Sequence, residues 1–173
     1  MKKLLVFAVA ILGFSAFSFG QNSATQTASA LVIQAISITS STNLDFGTFG
    51  ARKTAASTVV LTTAGSRTSS TADIIGGGGT PGTFTITGDA GHLVTVVLPT
   101  TSTPLVGTGT ALGGADMSID AAPAGWSTDG GDLTNFTITG GSIVLTVGAT
   151  LNVGIDQKAG PYSGTYAVTA NYN

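Results

Sequence analysis

The sequence contains no cysteine, no glutamate and a single histidine, and only 8% of its 173 residues are charged. Without cysteine there is no disulfide, no thiolate nucleophile and no lipid-modified cysteine, so stability rests on packing and sheet hydrogen bonds. Glu, Lys, Arg and Leu lose least side-chain freedom in helices, and their scarcity argues against a helical architecture. Few charges beside 42% hydrophobic content oppose the balance that keeps chains disordered. What is abundant is 29 Thr, 16 Ser and 25 Gly among stretches of Val and Ile. That is the composition of short strands joined by tight turns. A chain of this length suits one domain and hides roughly 70% of its unfolded surface.

The first twenty residues read as a secretory signal peptide. Lys2 and Lys3 form a basic start, Leu4 to Phe14 an apolar run, and Ser18-Phe19-Gly20 a small-x-small cleavage site before Gln21. The run is interrupted by Ser15 and Ser18 and falls short of the roughly 20 residues that a membrane span needs. The mature chain is therefore expected outside the cell or on its surface, reached through the periplasm, with no membrane span. Cleavage leaves Arg52, Lys53, Arg67 and Lys158 against eight Asp, a formal charge of −4. Such a surface repels phosphates, so nucleic acid is not an expected partner. Residues 21–34 read as an N-terminal extension and 35–173 as the folded domain.

Strand-like runs alternate with turn signals along that domain. They are 30–39, 57–63, 83–87, 93–98, 135–139, 142–147, 150–155 and 163–172, separated by Gly-rich stretches such as 76–82 and 88–91. Pro99 and Pro104 bracket a loop, because proline leaves a ladder without its donor. About eight strands at this spacing predict an all-β fold, an immunoglobulin-like Greek-key β-sandwich. Phe84 and Ile86 should face inward, as should Ile143, Leu145 and Val147. Phe-Thr-Ile-Thr-Gly occurs twice, at 84–88 and 136–140, too short a match to establish a repeat.

Chemistry-bearing motifs are absent. A serine nucleophile needs a base, and the only histidine, His92, follows a Gly-rich turn with no Gly-x-Ser-x-Gly elbow in the chain. The paired carboxylates Asp116/Asp120 and Asp129/Asp132 sit among Gly and Ser, where Asp forms turns through its own backbone. Asp129-Gly130-Gly131-Asp132 lacks the ligand spacing of a calcium loop. Gly76–Gly79 is followed by no Gly-Lys-Ser/Thr and opens no helix, so it is not a phosphate loop. No enzyme activity, cofactor or metal is expected. The lone Trp126 is either a core side chain or a sugar-stacking platform. In the second case Trp126, Asp129 and Asp132 would make a self-contained binding module for a surface glycan or a protein ligand.

The last fourteen residues carry the strongest pattern. Tyr166, Val168, Ala170 and Tyr172 alternate with Thr165, Ala167, Thr169 and Asn171, giving one apolar and one polar face. A terminal strand of this kind presents backbone groups that something must pair or cover. Gly160 is fourteenth from the end and Tyr172 penultimate, the arrangement of chaperone–usher pilin subunits, which this chain resembles. Asn43-Leu44-Asp45-Phe46-Gly47-Thr48 is similar to a stretch in spore coat U-like domains. The nearest likeness is to uncharacterised secreted bacterial β-sandwich domains related to that group, ending like Ala159-Gly160-Pro161-Tyr162-Ser163-Gly164-Thr165-Tyr166.

The resemblance implies an incomplete sandwich whose missing strand is supplied first by a periplasmic chaperone and then by the N-terminal extension of another subunit. It implies that Gly160, Tyr166, Val168, Ala170 and Tyr172 belong to the strand contacted during assembly, with an outer-membrane usher as a further partner. The expected function is thus a secreted structural subunit of a bacterial surface fibre, pilus-like fimbria or adhesive layer, self-associating by donor-strand addition.

Overall fold

The computed structural model describes residues 22–130, 133 and 135–173, so the expected signal peptide and Asp132 lie outside the described residues. The chain divides into a unit ending at Val32 and a domain, Ile33–Asn173. Residues 22–32 form no strand, and Leu31 and Val32 are 89% and 91% exposed.

Among the described residues fourteen strands follow in order. They begin with β1 (Ser37–Thr42), β2 (Thr48–Gly50), β3 (Ser57–Leu61), β4 (Arg67–Ser69) and β5 (Asp73–Ile75). Next come β6 (Gly82–Thr87), β7 (Leu93–Val97), β8 (Thr103–Gly107), β9 (Met117–Ile119) and β10 (Trp126–Thr128). Last are β11 (Phe136–Thr137), β12 (Ser142–Val153), β13 (Tyr162–Ser163) and β14 (Thr169–Tyr172). The one helical turn among the described residues is the 3-10 turn Gly109–Ala111. The domain is all-β, as its composition predicts.

The largest sheet runs β1-β6-β12-β9-β8-β13, with β3 and β10 also paired to β12 and β4 to β3, and it curls into a half-barrel. A second sheet runs β11-β7-β14, and β2 and β5 form a two-stranded ribbon. The pivot is β12. One of its edges pairs β6 along Ser142–Val147 and then β3 along Ala149–Val153; the other takes β10 and β9. The sequence predicts a break here, because Gly148 separates two apolar runs. Instead β12 is continuous, and Gly148 sits where a Cβ would overlap the Leu61 carbonyl oxygen and the Ser127 hydroxyl. Glycine is the residue that lets backbones approach so closely.

The core follows the two-residue period of the strands. In β3 and β6 every second residue is buried, and Leu61, Ile86, Ile119, Leu145 and Leu151 are almost wholly enclosed. Each such side chain contributes about 1.5–3 kcal/mol when removed from water, which is where a disulfide-free chain finds its stability. Outward positions carry hydroxyls in cross-strand rows, such as Ser37–Thr87–Ser142.

Two expected strands are cut differently. The run 30–39 becomes a strand only from Ser37, because its partner β6 ends at Thr87, opposite Ser37, and Gly88 N–H then turns to Gly141 O. The run 163–172 is divided into β13 and β14, which belong to different sheets.

Candidate functional site

The tail leaves one sheet and joins another. β13 closes the edge of the large sheet against β8, and β14 closes an edge of the small sheet against β7. Between them, Thr165–Ala167 lie in neither ladder, and none of their backbone groups is hydrogen-bonded among the described residues. Exposure still alternates as in a strand. Tyr166, Ala170 and Tyr172 are half-buried and Val168 is buried, while Thr165, Ala167, Thr169 and Asn171 are exposed.

Ladder parity decides which way the tail's backbone faces. Thr108 N–H donates to Pro161 O at 2.8 Å, so odd-numbered residues of β13 turn their N–H and C=O groups toward β8. Asn173 N–H donates to Leu93 O at 3.1 Å, which sets the same parity for β14 against β7. Even-numbered residues, Gly164, Tyr166 and Val168 among them, therefore turn theirs to the outer edge.

Beside the tail lies a groove of about 450 Å³ between the two edges of the curled sheet. Ser40, Asn43 and Leu44 contribute from the β1 side, and Tyr162–Tyr166 from the tail. Phe46, Phe84, Leu105 and Ile119 complete an apolar lining, and no lining residue is charged.

Tyr166 connects groove and core. Its ring meets Phe84 edge-on at 5.9 Å and Trp126 at 4.7 Å, and Gly82 leaves the space its hydroxyl occupies. Burial pushes the Tyr166 phenol above its ordinary pKa, since the phenolate would lose solvation. Tyr172 works at the other end of the tail. Its hydroxyl accepts from Asp89 N–H at 2.6 Å and donates to Gln34 O at 2.9 Å. Gly160 has φ +143, and a Cβ there would overlap Thr110 and Ala111 of the 3-10 turn, so glycine seats the root of the tail. Val168 and Ala170 pack on the main core.

The other candidates fall elsewhere. Trp126 is 7% exposed, its ring against Tyr166, so it presents no face to a sugar. Asp129 N–H donates to Thr146 O at 3.2 Å, and Asp129 Oδ1 accepts from Thr146 N–H at 2.7 Å, tying the end of β10 to β12. Asp132 is outside the described residues. His92 is half-exposed, with Nε2 3.3 Å from Asp89 Oδ2 and its ring in a T-shaped contact with Tyr172 at 5.7 Å.

The Gly76–Gly79 loop offers oxygens rather than N–H groups. Arg67 Nη2 donates to the carbonyls of Ile75, Gly76 and Gly77, and Nη1 to those of Phe46 (2.7 Å) and Thr48 (3.1 Å). A ring of acceptors around a guanidinium is the reverse of a phosphate cradle. It also fixes Phe46, part of the groove lining.

The β1 side of the groove is the part that sequence reasoning missed. Its signal was Leu44-Asp45-Phe46-Gly47, in which Asp45 Oδ1 accepts from Gly47 N–H at 2.8 Å and Gly47 adopts φ +65. This Asx turn places Leu44 and Phe46 together in the groove.

Among the described residues no group of three or more His, Asp, Glu or Cys could hold a metal ion, and no helix is long and apolar enough to cross a membrane. Comparison with curated proteins and with solved structures returned no match. A protein-family model does match, over residues 36–172, which takes in all fourteen strands of the described residues and both walls of the groove. The chain belongs to the family described as Domain of unknown function (DUF4402).

Proposed function

We propose that this chain is an exported, non-enzymatic structural subunit of a bacterial surface fibre, pilus-like or adhesive, assembled by strand addition between copies. The observation that carries this reading is the unpaired run Thr165–Ala167 beside an uncharged, apolar-lined groove. An incoming strand would hydrogen-bond along the outer edge of the tail and set alternate apolar side chains against Phe46, Phe84, Leu105 and Ile119. On this reading the domain is an immunoglobulin-like Greek-key sandwich short of one strand.

The donor is residues 21–34 of a second copy. That segment has no charged residue, matching a groove lined by none, and it carries the exposed apolar pair Leu31 and Val32. The contact is head-to-tail and does not close on itself, so it propagates. A periplasmic chaperone strand would guard the same edge before an outer-membrane usher releases the subunit to the fibre.

The test compares residues 21–173 with a chain lacking 21–34. The longer chain should form larger species as concentration rises in size-exclusion chromatography. The shorter should stay monomeric and bind a synthetic 21–34 peptide, read through Trp126, the only tryptophan, which touches Tyr166. A folded monomer at every concentration, with no peptide binding, overturns the reading.

A further inference from the structure

β7 and β8 pair with one continuous stretch of tail but in two registers. Val106 faces Ser163 and Val97 faces Thr169. The connection between β7 and β8 is therefore longer than the tail opposite it and bulges between its two ends, although at the β8 end the Pro104 carbonyl still lies against Gly164, where a Cβ would overlap it. A cavity of about 420 Å³ opens between them, lined by 97–104 on one side and by Thr165–Ala167 and Thr169 on the other.

The two ends of the bulge are prolines, and each occupies a hydrogen-bonding position. Thr108 and Val106 turn their backbone groups toward β13, so by the two-residue alternation Pro104 is next in line, opposite Thr165. Proline has no N–H to give the Thr165 carbonyl. On the β14 side, Thr95 and Val97 face Asn171 and Thr169, so Pro99 is next, opposite Ala167. It too lacks the donor, and its carbonyl is turned to Ala122 N–H at 2.8 Å. Each ladder ends one rung short of its proline.

We infer that Pro99 and Pro104 are positioning residues, ladder stops that keep Thr165–Ala167 out of both sheets and leave the middle of the tail free to settle on an incoming strand. The effect on assembly rests on the strand-addition reading; the ladder stop itself does not. Proline at strand ends and bulges is a general means of ending backbone pairing, and here two of them act on one short segment from opposite ends. Pro104 is exposed and Pro99 half-buried, so replacing them removes little packing.

The test is amide hydrogen exchange on residues 21–173 carrying Pro99→Val and Pro104→Val. The two new amides should exchange roughly tenfold or more slower than open-loop amides, as members of extended ladders do. Self-assembly should weaken by roughly tenfold, the effect expected of two added hydrogen bonds that hold the tail back. New amides that exchange at open-loop rates overturn the inference, whatever assembly does. Protected amides with unchanged assembly overturn the positioning role. Protected amides in a chain whose parent never assembles support the ladder stop and refute strand addition. Should the double variant fail to fold, Pro104→Val alone gives the same readout at an exposed position.

Discussion

The hydroxyl of Tyr172 donates to the carbonyl oxygen of Gln34 at 2.9 Å, joining residues 138 apart in the chain. The same Tyr172 hydroxyl accepts from Asp89 N–H at 2.6 Å. The penultimate residue thus ties the terminal strand to the residues just before β1 and to the turn between β6 and β7. The tail is pinned at this end by Tyr172 and at the other by Gly160, with Thr165–Ala167 unpaired between.

Tyr172→Phe keeps the ring and removes both hydrogen bonds. The Asp89 amide then loses its acceptor in a part-buried site, at a cost of about 1–2 kcal/mol. Urea denaturation should show a lower midpoint with an unchanged slope. An unshifted midpoint would mean that water replaces the hydroxyl at no cost.

Tyr166 gives the domain a distinctive alkaline response. Burial raises its folded pKa above the ordinary phenol value of about 10. Below about pH 10 the phenol is neutral in both states and adds no pH dependence. Above it the unfolded chain loses the proton first, so stability falls as pH rises toward the raised folded value. Denaturation at pH 8 and pH 11 should show a smaller loss in Tyr166→Phe than in the parent. Equal losses would place the phenol in water.

Arg67 holds carbonyls on two separate stretches, Phe46–Thr48 and Ile75–Gly77. Arg67→Gln keeps a polar head but cannot span both, and should cost about 1–3 kcal/mol. A broad-specificity protease should then cut near Gly76–Gly79 faster than in the parent. Cleavage at the parental rate would show that the loop is held by something other than the guanidinium.

Much of this was legible in the residues. The alternation of Phe84 and Ile86 with Thr83, Thr85 and Thr87 carries through to burial, because successive side chains of any strand point to opposite faces. The same local rule gave Tyr166, Val168, Ala170 and Tyr172 a common face. The groove was harder to see. Its β1 side comes from Ser40–Leu44 and its other side from the tail, and no local pattern relates stretches so far apart. Trp126 was open to two readings from sequence, and its place against Tyr166 was settled by packing between β10 and the tail.

Composition and period alone determined that this chain is all-β, disulfide-free and faced with hydroxyls, because those properties depend on each residue and its immediate neighbours. Tertiary structure decided which ladder each stretch joins. Ser163 meets Val106 while Thr169 meets Val97, a choice made by partners more than fifty residues away and by the hydrogen bonds their backbones can supply. Pro99 and Pro104 look like ordinary loop brackets until that register is known. Only then does the missing N–H of each fall opposite Thr165 and Ala167, the two ends of the unpaired run.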